Sequence, residues 1–139
     1  MAIIQGMCTS FKRELMLALH DFDTATFKLA LYTSTADLSP ATTAYTASGE
    51  VVGTGYTAGG VALSAVAPSL DGTVALVDFA DAAWPAATLT ARGALIYNSS
   101  SSDRAVAVLD FGADRSAVGA TFTVQFPAAT AASAIVRIV

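Results

Sequence analysis

The chain has 139 residues, 54% of them apolar and only 13% charged, with a formal net charge of -4 at pH 7. That length is one domain, residues 1–139, able to bury about two thirds of the surface an unfolded chain exposes. The seven Lys and Arg residues are scattered from Lys12 to Arg137, which argues against a nucleic-acid groove, and no apolar run reaches the ~20 residues that span a bilayer.

MAIIQGMC at the N-terminus lacks a basic segment ahead of an apolar one, so the chain is expected to be soluble and unprocessed. The single cysteine, Cys8, cannot form an internal disulfide and suits folding in a reducing cytoplasm; it reads as a small buried residue. Next comes SFKRELMLALHDF, which places Phe11, Leu15, Ala18, Leu19 and Phe22 at helical spacing and predicts an amphipathic helix near 10–22, with Thr9 or Ser10 as N-cap. Lys12, Arg13 and Glu14 fall on its outer face. The two cations oppose the helix dipole and hint at an anionic neighbour. His20 is expected near the helix end, where an imidazolium suits the dipole.

After Asp23 the texture changes to short runs of Val, Phe, Tyr and Thr between clusters of Gly, Pro, Ser and Asp, the pattern of an all-β sandwich. The predicted strands are 27–32, 61–66, 73–79, 93–97, 105–111, 122–126 and 135–139. They predict a mainly β fold: a two-sheet β-sandwich, jelly-roll-like, with one short N-terminal α-helix. Pro68, Ser69, Asp71 and Gly72 supply a hairpin turn between the second and third strands. In FTVQF, Phe122, Val124 and Phe126 face the core while Thr123 and Gln125 face water. Pro127 ends that strand, and the closing IVRIV, apolar on both faces except Arg137, is expected to be covered.

GEVVGTGYTAGG, residues 49–60, holds five glycines. It lacks the Lys of a phosphate-binding Walker loop, and its G-x-G-x-x-x-G spacing misses the dinucleotide fingerprint. The glycines are therefore expected to turn the chain at positive φ and to pass close to other backbone, with Tyr45 and Tyr56 as aromatic anchors carrying polar tips.

Catalytic chemistry has few candidates. His20 is the only histidine, so a metal site would rest on His20 and Cys8, and a nucleophile site would need His20 as base without a G-x-S-x-G elbow; no metal or cofactor is expected. VALVDFAD (74–81) and VAVLDFGAD (106–114) are similar strand exits, whose Asp78 and Asp110 could converge as glycosidase carboxylates do; acids that cap the backbone are the commoner use. Asp21 and Asp23 open like a calcium loop but lack its later Gly and Glu. Asn98-Ser99-Ser100 reads as part of a polar loop reaching Asp103.

The FKRELMLALHDF helix, the FKLALYT strand and the GEVVGTGYTAGG loop together resemble small virion proteins of tailed bacteriophages, over about the first half of the chain. The resemblance implies a non-enzymatic capsid decoration or cement protein, made in the bacterial host cytoplasm and seated on the outer capsid surface. Its implied partners are the major capsid protein and further copies of itself, as a homo-oligomer such as a trimer. On that reading Phe11, Leu15, Tyr45, Tyr56 and Arg137 are candidate contact residues. Two other expectations stand beside it: a phage tail or head-to-tail connector component, and a carbohydrate-binding or hydrolytic module using Asp78, Asp110 or Asp114.

Overall fold

The computed structural model describes residues 2–138; Val139, at the end of the last predicted strand, lies outside the described residues, as do the side chains of Ala65 and Val66. In chain order the elements are β1 (Gly6–Met7), α1 (Thr9–Met16), β2 (Phe27–Tyr32), β3 (Val61–Ala62), β4 (Ala65–Asp71), β5 (Val74–Phe79), β6 (Ala82–Asn98), β7 (Arg104–Val124) and β8 (Val136–Ile138). The protein is mainly β with one short helix, and two antiparallel sheets give it the character of a β-sandwich. One sheet has the order β1-β7-β6-β2-β3 and the other β4-β5-β8. Among the described residues no helix is long and apolar enough to cross a membrane.

The helix stops well short of its predicted end. Leu17 is the C-cap and Ala18 takes a left-handed φ of 59°. Leu19 N then donates to Glu14 O at 3.0 Å and Ala18 N to Leu15 O at 3.1 Å, closing a Schellman turn built on alanine where glycine is usual. At the other end Cys8, not Thr9 or Ser10, is the N-cap, with no side-chain capping bond among the described residues. Cys8 N is given to Val106 O at 2.9 Å and Thr9 N to Pro40 O at 2.8 Å, so tertiary carbonyls take up the donors of the N-cap and the first helical residue.

Strand boundaries differ from expectation where bulges or sheet changes intervene. β6 begins at Ala82 and runs through Pro85, because the register shifts between Trp84 and Ala87 and Ala86 adopts φ 50°; at such a bulge Pro's missing N–H costs nothing. The segments 105–111 and 122–124 belong to one strand, β7, bent where Gly112 and Gly119 have positive φ, and the predicted 122–126 strand ends at Val124. The run 61–66 splits: β3 pairs with β2, then the chain changes sheets and β4 pairs with β5. The β4–β5 turn follows Asp71 as its chemistry indicates, with Asp71 opposite Val74, while Pro68 sits in a register shift between Val66 and Ser69. β8 is not covered on both faces: Val136 is buried, but Arg137 and Ile138 are exposed.

Aromatic rings join the two sheets. Phe22 stacks on Phe27 of β2 at 4.4 Å, Phe27 meets Phe79 of β5 at 6.0 Å, and Phe79 meets Phe126 at 5.6 Å. Phe11, Phe27 and Phe79 are essentially fully buried, each contributing about 1.5–3 kcal/mol of hydrophobic stabilisation. Phe122 and Val124 face the core and Thr123 and Gln125 face water, as the alternation requires.

Candidate functional site

Two carboxylates organise the polar interior. The first is Glu50, in the glycine-rich loop. Its Oε1 accepts the Tyr45 hydroxyl at 2.5 Å, and its Oε2 accepts the Tyr56 hydroxyl at 2.5 Å and Gly59 N at 2.7 Å. The Tyr56 oxygen in turn accepts Leu31 N at 3.0 Å. Tyr97 donates to Gly59 O at 2.6 Å and its ring stacks on Tyr45 at 4.9 Å, while Tyr32 donates to Thr46 O at 2.6 Å. Burial, aided by the Glu50 charge, holds the Tyr32, Tyr45 and Tyr56 phenols well above their ordinary value; burial and then the Asp103 and Glu50 charges push Tyr97 up to about 12.

The glycines let this loop close. Gly60 has φ +80°, and a Cβ there would stand 1.8 Å from Leu29 O. Gly53 does not need positive φ; its Cβ would stand 2.4 Å from Thr88 O, so it serves close approach alone. The turning and packing roles read from the sequence hold, whereas the role of Glu50 is not legible there, because nothing in G-E-V marks the acid that Tyr45 and Tyr56, five and six residues away, will meet.

The second carboxylate is Glu14. It is buried, not on the outer face of the helix, because it lies one helical turn on from Phe11 and shares that residue's inward side. Its Oε1 pairs with His20 Nε2 at 2.9 Å and its Oε2 accepts Arg104 Nη1 at 3.2 Å. His20 lies beyond the end of α1, so it does not cap the helix dipole as expected. It is buried against the Phe11 ring at 4.8 Å, with Nδ1 3.1 Å from Asn98 Nδ2. Asn98 Oδ1 accepts Ser100 N at 3.0 Å and its Nδ2 reaches Leu19 O at 3.4 Å, which fixes the amide. Nδ1 is therefore the acceptor and Nε2 carries the proton toward Glu14, an assignment made from the network.

Beside this cluster opens a cleft of about 550 Å³, lined by the polar residues Ser10, Arg13, Glu14, Thr43, Ser102 and Arg104 and by the apolar Leu17, Leu19 and Ala44. Ser10 Oγ and Arg104 Nε are buried without a hydrogen-bond partner among the described residues. Cys8 packs nearby in the core, and burial together with the Glu14 charge pushes its thiol up to about 11, so it is unreactive near neutral pH.

Of the strand-end acids, Asp110 and Asp114 meet at Arg92, while Asp78 belongs to the other sheet. Asp78 lies on β5 of the smaller sheet and Asp110 and Asp114 on β7 of the larger. Asp110 Oδ1 accepts Gly112 N at 2.9 Å and stands 3.6 Å from Arg92 Nε, and Asp114 is 3.9 Å from Arg92 Nη1. Asp110 thus caps a strand bulge. Asp21 closes its own turn through Asp23 N at 2.9 Å and the Thr24 hydroxyl at 2.7 Å, contacts that hold its carboxyl below the usual range. Among the described residues no group of three or more His, Cys, Asp and Glu side chains could hold a metal ion.

The candidate contact residues fall in different settings. Phe11 is fully buried and has no side-chain surface to offer a neighbour. Leu15 is half-buried in an apolar groove of about 160 Å³ shared with Phe22, Ala75 and Ile138. Tyr45 and Tyr56 are half-buried with hydroxyls committed to Glu50. Arg137 is exposed and donates to Ala131 O at 3.0 Å. More prominent at the surface are Val52, Met16, Val118 and Leu70, exposed at 96%, 89%, 81% and 74%. No family model, curated protein or solved structure matches the chain.

Proposed function

We propose that this chain is a structural virion protein of a tailed bacteriophage, a capsid decoration or cement protein that binds the major capsid protein on the outer shell and reinforces it as a homo-oligomer. One observation carries the reading: the phenols and the imidazole are tied to Glu50, Glu14 or backbone carbonyls, while large apolar side chains stand in solvent. Glu50 and Glu14 tie down Tyr45, Tyr56, His20 and Arg104. Val52, Met16 and Val118, each more than four-fifths exposed, are free to be covered by another subunit. The phage resemblance of the helix, strand and glycine loop supplies the place in which such contacts would be made.

Imaging of an intact particle with a label on this chain tests the reading. Label distributed over the outer head surface supports decoration. Label confined to one vertex or to the tail assigns the connector or tail role instead, and a particle without label overturns both.

A further inference from the structure

We infer that the cleft beside Glu14 is a binding site for a carboxylate carried on an apolar stem. The inference is independent of the virion reading, since it rests on how Arg104 is held. A guanidinium grips a carboxylate best along one edge, with two parallel N–H bonds. Glu14 engages Arg104 through Nη1 at 3.2 Å, while Nε, on the edge away from that bond, has no hydrogen-bond partner among the described residues. Arg104 lines the cleft with its side chain 37% exposed and its Nε buried, and Glu14 fixes its position.

A second unpartnered donor belongs to another residue that lines the cleft. Ser10 Oγ, in the first turn of α1, is buried without a bond among the described residues. Buried donors without acceptors are uncommon, and two of them lining one cleft mark a place for an acceptor. Charge points the same way: of the charged lining residues Arg13 and Arg104 are cations and Glu14 is the one anion, already shared with His20. Beside Thr43 and Ser102 the lining includes Leu17, Leu19 and Ala44, apolar residues that fit a hydrocarbon stem better than a bare inorganic anion. The volume, about 550 Å³, lies in the range of small-ligand sites.

Two sources share this chemistry, a free small carboxylate and an acidic side chain of another protein, and a titration of the full chain followed by NMR separates them. The probes are isovalerate, acetyl-Leu-Glu-Leu-amide, the same peptide with Gln for Glu, and inorganic phosphate. At least one carboxylate probe is expected to bind and move the Arg104 and Ser10 signals, with the Gln peptide about tenfold weaker than its acidic counterpart or worse. Tighter binding of the acidic peptide identifies a protein side chain as the ligand; tighter binding of isovalerate identifies a free one. Equal affinity for the Glu and Gln peptides, binding of phosphate alone, or no binding of either carboxylate overturns the inference.

Arg104→Lys keeps a cation for Glu14 but lacks the two-pronged edge, and is expected to weaken carboxylate binding about tenfold with an unchanged circular dichroism spectrum. Arg13→Gln with Ser10→Ala leaves the Glu14 pairings in place and gives a second reading if the lysine variant fails to fold. Unchanged affinity in that double variant also overturns the site.

Discussion

Glu50 and Glu14 are both inward-facing carboxylates, yet they end differently. Glu50 is enclosed by groups held in the fold: two phenols and a backbone N–H converge on it, and a glycine loop seals it. Glu14 is shared with an imidazole and with one nitrogen of a guanidinium that still faces a cleft. A carboxylate whose partners are all committed within the fold helps hold it together. One whose partner keeps a free edge builds a surface.

The contrast is broken most severely at Gly60. Gly60→Ala drives a Cβ onto the Leu29 carbonyl at a left-handed φ and is expected to cost about 4 kcal/mol or more, measured by urea unfolding. Glu50→Gln, which replaces a charged acceptor of two phenols by an amide, is expected to lose about 3–5 kcal/mol. Glu14→Gln should lose less, about 2 kcal/mol, because Arg104 is part-exposed and can be hydrated instead. A larger loss at Glu14 than at Glu50 would reverse the assignment of closed and open clusters.

Alkaline titration sharpens the same point. Cys8 and the four tyrosines resist ionisation in the folded chain, so the stability they confer is complete below their unfolded values of 9.0 and 10.0. It is lost as pH rises toward the folded values, about 11 for Cys8 and about 12 for Tyr97. Tyrosinate absorbance is expected to appear together with loss of the β-sheet circular dichroism signal; phenolate forming in an intact fold would contradict the Glu50 arrangement. The smallest effect is a gain: Ala18→Gly relieves the left-handed turn after α1 and should raise stability by about 0.5–1 kcal/mol.

Much of the β architecture was legible in the sequence where local pattern decides it. The Phe27–Tyr32 strand, the Phe122/Val124 alternation and the turn after Asp71 follow from alternation and turn chemistry alone. The end of the helix was hidden because alanine occupies the position where glycine would have announced the turn, while Leu19 and Phe22 keep a helical spacing by chance of packing. The early part of β6, from Ala82 through Pro85, was not legible because a bulge that absorbs a proline leaves no mark of its own. The two Asp-Phe segments look alike yet enter different sheets, since partner choice is non-local. The Glu14 cluster had one readable clue, its spacing from Phe11; its other members, His20, Asn98 and Arg104, are joined only by the fold.

The most direct test of the surface assignment is sedimentation of undecorated phage heads mixed with purified protein, alongside a variant carrying Met16→Ser, Val52→Ser and Val118→Ser. These exposed positions should change stability by no more than about 0.5 kcal/mol. The expected result is that the native chain pellets with the heads and the equally stable variant stays in the supernatant. A native chain that remains in the supernatant, or a variant that pellets just as well, would contradict the claim that these apolar side chains are the contact surface.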